Sequence, residues 1–282
     1  MRKTDVRGLL FTAPALILLV VFYILPIAVT VGLSLFKVEH FMSYDWVGLA
    51  NYAKLWGSGF VDSFRVSGKF LLAMLFYKLV ISYLIAVALH FRSPKFSMAM
   101  RTVYYVPVVL SGVATISVWR WMFSHGGLIN DFLGKLSLGP YLWLGDPDLA
   151  PWAIAFVVMM MYVGGTVLLW SAALGQVPKD VIDAARVDGA GMLRIIWNIL
   201  TPLTNPTRLY ITVVGFLGAI QIWEHPWLFT SGGPRASTTT VTLKIFNTAF
   251  SRGQFGLASA MTVVALLVCL VMALYLMRQG LV

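Results

Sequence analysis

The chain has 282 residues, of which 59% are hydrophobic and only 11% are charged. A soluble domain of this length cannot bury so much apolar surface in one core, so the composition indicates an integral membrane protein and argues against a disordered chain. The single cysteine argues against a disulfide scaffold, and the net charge of +10 fits basic residues facing anionic lipid better than a nucleic-acid partner.

Six apolar segments follow one another along the chain, and a membrane-spanning helix needs about 20 apolar residues. The third segment reaches this length only at its lower limit, and the fifth reaches it only if the helix continues through Glu224 toward Thr230. We predict an all-α integral membrane protein with a single transmembrane domain over residues 1–282. Its six spans are expected at residues 9–36, 68–89, 102–123, 149–176, 208–230 and 255–277.

The first segment follows Arg2, Lys3 and Arg7, an arrangement that secretory signal peptides share. Its uncharged stretch, residues 9–36, is much longer than the roughly 7–15 residues of a signal peptide's apolar region. No small-residue cleavage pattern ends it. The sequence therefore predicts a retained helix.

Six spans place both termini on the same side of the membrane. The loops on that side are the shorter set and carry 11 basic residues, against 8 on the opposite side. Because Lys and Arg concentrate in short cytoplasmic loops, we predict that both termini are cytoplasmic. The basic residues assigned to the cytoplasmic side are Arg2, Lys3, Arg7, Arg92, Lys95, Arg101, Lys179, Arg186, Arg194, Arg208 and Arg278.

The cytoplasmic connection between the fourth and fifth spans, residues 178–206, predicts two short helices joined by a glycine corner. Pro178 suits the first turn of a helix, and Gly189 breaks the helix that follows. A second helix is expected over residues 190–200, with Pro202 ending it. A surface-lying helix pair of this kind suits insertion into a groove of a partner protein.

Sequence motifs for catalysis and cofactor binding do not occur. No G-x-x-x-x-G-K-[ST] pattern is found, so we expect neither ATP nor its magnesium to be held by this chain. The four histidines are scattered and there is one cysteine, which predicts no metal site. The nucleophile pattern G-x-S-x-G is also missing, so no catalytic residue is expected.

The loop at 178–206 resembles the "EAA" loop of permease subunits of binding-protein-dependent ABC importers. Asp183 stands where the family has Glu, and Thr201 stands where it has Leu. The residues that carry the resemblance are Ala184, Ala185, Asp188, Gly189, Ala190 and Pro202.

A second resemblance lies in the segment Leu-Phe-Thr-Ser-Gly-Gly-Pro at residues 228–234, which is followed by threonines at 238–240. It is similar to the "LT-x-GGP" segment of carbohydrate-type permeases such as those of the maltose and glycerol-3-phosphate systems. Residues 23–26 and 47–52 are similar to that family as well. The resemblance therefore extends over nearly the whole chain.

This resemblance implies the type I ABC importer permease fold and a non-enzymatic subunit that forms half of a translocation pathway. The substrate class it implies is a sugar, an oligosaccharide or a sugar phosphate. The implied partners are a second homologous permease, two ATPase subunits that bind ATP and magnesium, and an extracytoplasmic substrate-binding protein. The implied location is the cytoplasmic membrane of a bacterium or archaeon.

Two groups of candidate site residues follow. The resemblance assigns the contact with the ATPase to Asp183, Ala184, Ala185, Arg186, Asp188, Gly189 and Ala190. Polar or charged positions within the spans suggest a substrate pathway that includes Lys78, Tyr162, Gln221, Trp223 and Glu224.

Each pathway residue also has a plainer interpretation. Lys78 can be a snorkelling or internally paired lysine, and Glu224 can mark a helix end with Trp223 as an interface anchor. Tyr162 precedes Gly164 and Gly165, a pattern that is typical of close helix packing.

Two other classes of function remain open to the sequence. A self-sufficient secondary transporter would show broken helices in both halves, whereas only the fifth span is interrupted in the sequence. A membrane-embedded lipid-modifying enzyme would need a carboxylate or histidine cluster at the interface, and the sequence contains no such motif.

Overall fold

The computed structural model describes residues 3–39 and 43–280, with side chains from residue 11 to residue 279, and this part of the chain is mostly helical. Its α-helices are Lys3–Leu19, Leu25–Leu33, Ala50–Ala53, Phe60–Phe76, Ser82–His90, Pro94–Val109, Gly112–Met122, Leu128–Lys135, Ala150–Gly175, Lys179–Val187, Met192–Ile195, Thr201–Leu203, Asn205–Gln221, Glu224–Thr230, Val241–Phe246 and Phe255–Gly280. The π-helical turns are Val20–Ile24, Tyr77–Ile81, Ile196–Leu200 and Asn247–Ser251.

Four helices in the described ranges are long and apolar enough to cross a membrane. They correspond to the first, second, fourth and sixth predicted spans, and the second begins eight residues earlier than the predicted residue 68. Their bounds are Phe11–Leu33, Phe60–His90, Ala150–Gly175 and Phe255–Gln279.

The third predicted span, 102–123, is not one straight helix. Helix Pro94–Val109 and helix Gly112–Met122 meet at an angle of 92°. Leu110 between them is extended, with ψ 148°. Pro107, just before this corner, cannot donate a backbone hydrogen bond, which weakens the last turn of the first helix. The sequence showed no charge here, so hydropathy alone did not reveal the bend.

The fifth predicted span, 208–230, is broken as well. Helix Asn205–Gln221 ends at Ile222, whose backbone is extended with ψ 121°, and helix Glu224–Thr230 begins two residues later. The expectation of one broken span is therefore wrong: two are interrupted.

A pair of antiparallel strands, Phe36–Glu39 and Ser43–Trp46, departs from the expected all-α class. Phe36 pairs with Trp46, and their rings meet edge to face with centroids 5.0 Å apart. The two strands lie in a compact unit formed by the residues up to Val61 together with Lys244–Val268.

In the first unit, Asn51 bonds to the backbone just after the end of the long helix Phe11–Leu33. The Asn51 side chain is buried, and its Nδ2 donates to the carbonyl oxygens of Ser34 and Phe36, each at 2.8 Å. The Ser34 hydroxyl lies 2.8 Å from the Tyr52 hydroxyl. A β-carbon on Gly256 would overlap the Phe36 carbonyl oxygen, so the strand passes directly against the last long helix.

The second unit comprises residues 62–243 and 269–282 and is built around helix Ala150–Gly175, called the central helix below. In the most apolar stretch of the central helix, 56% is buried by the rest of the chain. In the corresponding stretch of helix Phe11–Leu33, none is buried. Helices Ser82–His90 and Pro94–Val109 pack against the central helix. The first helix thus presents its apolar surface to lipid or to a partner chain, while the central helix forms the core.

Gly164 sets the closest approach in this core. A β-carbon on Gly164 would overlap the carbonyl oxygen of Tyr104, which lies on helix Pro94–Val109. A β-carbon on Gly165 would have no neighbour within 4 Å. The small residues of the fourth span do allow a helix to pack closely, and Gly164 is the one that matters.

We expect Gly164→Ala to destabilise the protein by about 1–3 kcal/mol, because the added methyl group must push a whole helix away. Gly165→Ala is the matched control and should be neutral or slightly stabilising, since alanine favours helix and the site is open. The measurement is the fraction of detergent-solubilised protein that stays monodisperse after heating. Equal melting of the two variants would contradict this account.

Candidate functional site

Helix Lys179–Val187 lies within residues 178–206, a segment named the coupling loop below for the role that we propose for it, and it ends in a Schellman motif. The Gly189 N–H donates to the Arg186 carbonyl at 3.0 Å, and the Ala190 N–H donates to the Ala185 carbonyl at 2.9 Å. Gly189 has φ +75°, a conformation that residues with a β-carbon rarely adopt. The predicted glycine corner is confirmed, and Pro178 lies at the N-cap, immediately before the first turn.

The coupling loop has an inner and an outer face. Ile182 is buried in an apolar cluster with Trp170 and Leu174 of the central helix, and Ala185 and Ala190 pack against that cluster. The predicted contact residues thus divide into two groups, because Ala185 and Ala190 lie against this chain's own core. The residues on the exposed outer face are Asp183, Ala184, Arg186, Val187, Asp188 and Gly189.

Asp183 and Arg186 form an ion pair with each other at 3.1 Å. Both side chains are more than half exposed, so the pair adds little to stability. It leaves both charged groups available at the outer face. An apolar patch continues this face along the second half of the loop, where Leu193 is 72% exposed and Trp197 is 64% exposed.

Pro202 does not end the second helix of the coupling loop as the sequence predicts. The chain passes through the π-helical turn Ile196–Leu200 and the short helix Thr201–Leu203, and helix Asn205–Gln221 follows directly. The Thr201 hydroxyl donates to the Ile196 carbonyl at 2.8 Å. The wider turn accommodates a proline that a regular α-helix would reject.

A series of contacts links the coupling loop to the second span. The Thr201 hydroxyl lies 2.8 Å from the Tyr83 hydroxyl, and the Tyr83 ring meets Trp170 edge to face with centroids 4.9 Å apart. Trp170 Nε1 donates to the Lys78 carbonyl at 2.8 Å. The loop, the second span and the central helix are therefore joined by buried side chains.

The break in the fifth predicted span is stabilised by threonines that come later in the chain. The Thr242 hydroxyl donates to the Ile220 carbonyl at 2.8 Å, and the Thr240 hydroxyl donates to the Ile222 carbonyl. These carbonyls have lost their helical partners, and an unpaired polar group in an apolar environment is costly. Thr240 belongs to the run of threonines at 238–240, which the family resemblance included without giving it a role, whereas Thr242 lies two residues beyond Thr240 and outside that run.

The Gly-Gly-Pro segment forms the turn between this break and the threonines. Ser231 and Gly232 have positive φ values of 52° and 92°. The Thr238 hydroxyl donates to the Gly233 carbonyl and the Thr239 hydroxyl to the Gly232 carbonyl, both at 2.9 Å. The segment thus has a structural function: it reverses the chain so that its threonines reach the broken helix.

A cluster of polar and aromatic side chains surrounds the break. The rings of Tyr162 and His225 lie with centroids 5.7 Å apart, edge to face. Glu224 is exposed, and a β-carbon on Gly112 would lie 3.7 Å from its carboxylate. His225 is buried, and its Nε2 has no hydrogen-bond partner within the described part of the chain. His225 interrupts the fifth span in the sequence together with Gln221, Trp223 and Glu224, but it is not one of the five predicted pathway residues.

The five predicted pathway residues do not all meet. Tyr162, Trp223 and Glu224 lie at the break, and Gln221 is exposed beside it at the end of its helix. Lys78 lies apart, where its Cδ would be 3.4 Å from a β-carbon on Gly215. Gly215 precedes Gln221 by six residues, which corresponds to about 9 Å along a helix. The residues described here contain no group of three or more metal-ligating side chains.

Comparison with known proteins places this geometry in a family. Residues 78–278 match the model of the binding-protein-dependent transport system inner membrane component. A probable ABC transporter permease of Pyrococcus horikoshii is 30% identical over 275 residues, covering 94% of this chain and 92% of that protein. The trehalose/maltose transport system permease MalF of Thermococcus litoralis is 29% identical over 281 residues, covering 97% and 93%.

A solved structure has the same fold. The crystal structure of a bacterial ABC transporter involved in the import of the acidic polysaccharide alginate contains a chain that superposes with a TM-score of 0.83. The similarity covers 99% of this chain and 96% of that chain at 20% sequence identity. The family resemblance expected from the sequence is confirmed, and this chain belongs to the binding-protein-dependent transport system inner membrane component family.

Proposed function

We propose that this chain forms half of the translocation pathway of an ATP-driven importer for a sugar, an oligosaccharide or a sugar phosphate. The observation that carries the proposal is the family match over residues 78–278, which includes both the coupling loop and the broken fifth span. The trehalose/maltose permease, similar over nearly its full length, supports the carbohydrate class. The other half of the pathway would come from a second homologous permease.

Substrate would arrive on an extracytoplasmic binding protein, as the family's description implies. Two ATPase subunits would bind the nucleotide and its magnesium, and this chain would hold no cofactor of its own. Closure of the ATPase pair would move the coupling loop. The contacts from Thr201 through Tyr83 and Trp170 to the Lys78 carbonyl would carry that movement into the spans. The outer face, from Asp183 to Gly189, would be the docking surface.

Gly189→Val tests the coupling loop. We expect it to leave membrane insertion intact but to abolish docking or uncouple ATP hydrolysis from transport, since a β-branched residue at φ +75° costs about 1–3 kcal/mol and distorts the corner. The measurement is recovery of the ATPase with the purified permease, together with ATP hydrolysis stimulated by the binding protein.

Gly191→Val is the matched control, because Gly191 has φ −69° and open space at its β-position. It should retain coupling. If Gly189→Val keeps the coupling of the unmodified transporter, residues 178–206 are not the contact with the ATPase.

The helix break is proposed as part of the substrate path. It combines an exposed carboxylate on Glu224 with the aromatic rings of Tyr162 and Trp223 at a level where a continuous helix would be apolar. Hydroxyl groups of a sugar can bond to the carboxylate, while its apolar faces can stack on the rings. Lys78 lies beside Gly215, which is about 9 Å from Gln221 along helix Asn205–Gln221. Lys78 would therefore contact a larger or anionic substrate.

Trp223→Ala should lower sugar uptake about fivefold, the equivalent of losing a stacking contact of about 1 kcal/mol. Glu224→Gln should lower it as well by removing the charge. Uptake of labelled trehalose and maltose by cells that produce the complete transporter is the measurement. Trp152→Ala, an exposed tryptophan at the start of the central helix, is the control. If both break variants take up sugar normally, the break is only the end of a helix and is not part of the substrate path.

Six membrane crossings with both termini in the cytoplasm are proposed for this chain. Four long helices would supply four crossings, the pair bent by 92° would supply the third, and helices Asn205–Gln221 and Glu224–Thr230 together would supply the fifth. The density of Lys and Arg in the shorter loops supports the orientation.

Cysteine labelling tests this topology in a Cys269→Ser background. A cysteine at Lys135 should react with a membrane-impermeant maleimide added to intact cells, because Lys135 is exposed and assigned to the outside. A cysteine at Arg186 should react only after the cells are permeabilised. The reverse pattern would refute the orientation, and labelling of both positions in intact cells would refute the crossing number.

A further inference from the structure

A cavity of about 600 Å³ opens where the second span ends and helix Pro94–Val109 begins, at the edge of the central helix. It lies in the second unit, and the described residues that line it do not include those at the helix break. The residues on which the following argument depends are His90, Arg92, Ser97, Met98, Arg101 and Leu168.

The lining of this cavity is cationic. Arg92 and Arg101 carry its charge, and none of the described residues that line it is acidic. Neither arginine forms an ion pair with any described residue. The nearest acidic group in the adjoining cavity is Asp183, which already pairs with Arg186. The cavity therefore has uncompensated positive charge.

Two residues that line the cavity each carry a buried polar atom with no partner among the described residues. The Ser97 side chain is only 5% exposed, and its hydroxyl makes no hydrogen bond. Arg101 Nε is buried and is also unpartnered. Buried polar groups are nearly always hydrogen-bonded, so an orphaned donor on each of two neighbouring turns of one helix indicates an acceptor supplied from outside the chain. A hydroxyl and a guanidinium together suit a phosphate oxygen.

Apolar side chains line the cavity beside these polar groups. Met98 is 73% exposed and Leu168 is 36% exposed, so both present apolar surface at the cavity. A cavity that combines basic groups with exposed apolar side chains matches a headgroup joined to acyl chains better than it matches an acidic peptide. Basic pockets between membrane helices are typical sites for anionic lipid headgroups.

We propose that this cavity binds the phosphodiester headgroup of an anionic phospholipid, with Arg92, Ser97 and Arg101 on the phosphate and Met98 and Leu168 along the first acyl methylenes. The site adjoins the coupling loop through His90 and Arg92, which also line the cavity beside Lys179 and Ile182. A lipid held here would brace the coupling loop from the membrane side.

The test is native mass spectrometry of the complete, detergent-purified transporter titrated with phosphatidylglycerol, phosphatidylcholine or inorganic phosphate. Phosphatidylglycerol should bind and phosphatidylcholine should not. The double variant Arg92→Gln/Arg101→Gln should weaken phosphatidylglycerol binding about thirtyfold, as expected for the loss of two basic residues at an anionic headgroup. Arg208→Gln, a basic residue outside the cavity, is the control and should bind as the unmodified protein does.

Two further variants keep the test decisive if the double variant misfolds. Arg92→Lys/Arg101→Lys retains the charge and should retain most of the binding, whereas Leu168→Trp fills the cavity without changing the charge and should abolish it. Equal binding of the two lipids, or unchanged binding in the glutamine and tryptophan variants, would overturn the proposal. Binding of inorganic phosphate that displaces the lipid completely would assign the site to a free anion and would equally overturn the lipid assignment.

Discussion

Backbone hydrogen bonds within the bilayer constrain this structure more than any other interaction. Water is scarce there, so each backbone group that leaves a helix must find a partner in the protein. The fifth predicted span leaves its helix at Ile222, and the hydroxyls of Thr240 and Thr242 bond to the carbonyls that the break frees. The Gly-Gly-Pro turn brings those threonines back to the break. Without these partners the interruption would cost several kcal/mol.

The break in turn creates the polar environment around it. An uninterrupted helix would keep its apolar side chains in register with its neighbours, whereas the chain here turns and brings Glu224 and His225 next to Tyr162 of the central helix. Nε2 of His225 is buried and has no hydrogen-bond partner among the described residues, which is unusual for a polar group in a packed core. One backbone irregularity therefore brings together the polar and aromatic groups on which the proposed substrate path depends.

Tight packing elsewhere compensates for these irregular segments. Gly164 lets helix Pro94–Val109 lie directly on the central helix, and the Tyr83–Trp170 contact fixes the second span to the same core. The coupling loop rests on this core through Ile182, so it is attached to the central helix as well as to its neighbours in sequence. In the proposed mechanism, attachment at several points lets movement of the loop pass to the helices that it contacts.

The sequence alone determined the membrane class, the approximate positions of the long helices and the coupling loop with its glycine corner. These follow from composition, from run length and from backbone preferences, all of which are local properties. It also located the fifth-span interruption, because Glu224 is charged and lies in an apolar run. The family resemblance carried by residues 183–190 and 228–234 added the transport function.

Only the tertiary structure decided the features that depend on contacts between distant residues. The 92° bend after Pro107 lies in an uncharged run, so no hydropathy pattern marks it. The division of the coupling loop into an inner face at Ala185 and an outer face at Ala184 depends on which side meets the central helix. The pairing of Thr242 with Ile220 and the cationic cavity at Arg101 join residues that are far apart in sequence or that lie on different helices. Such contacts are fixed by packing, and a local pattern of residue types does not encode them.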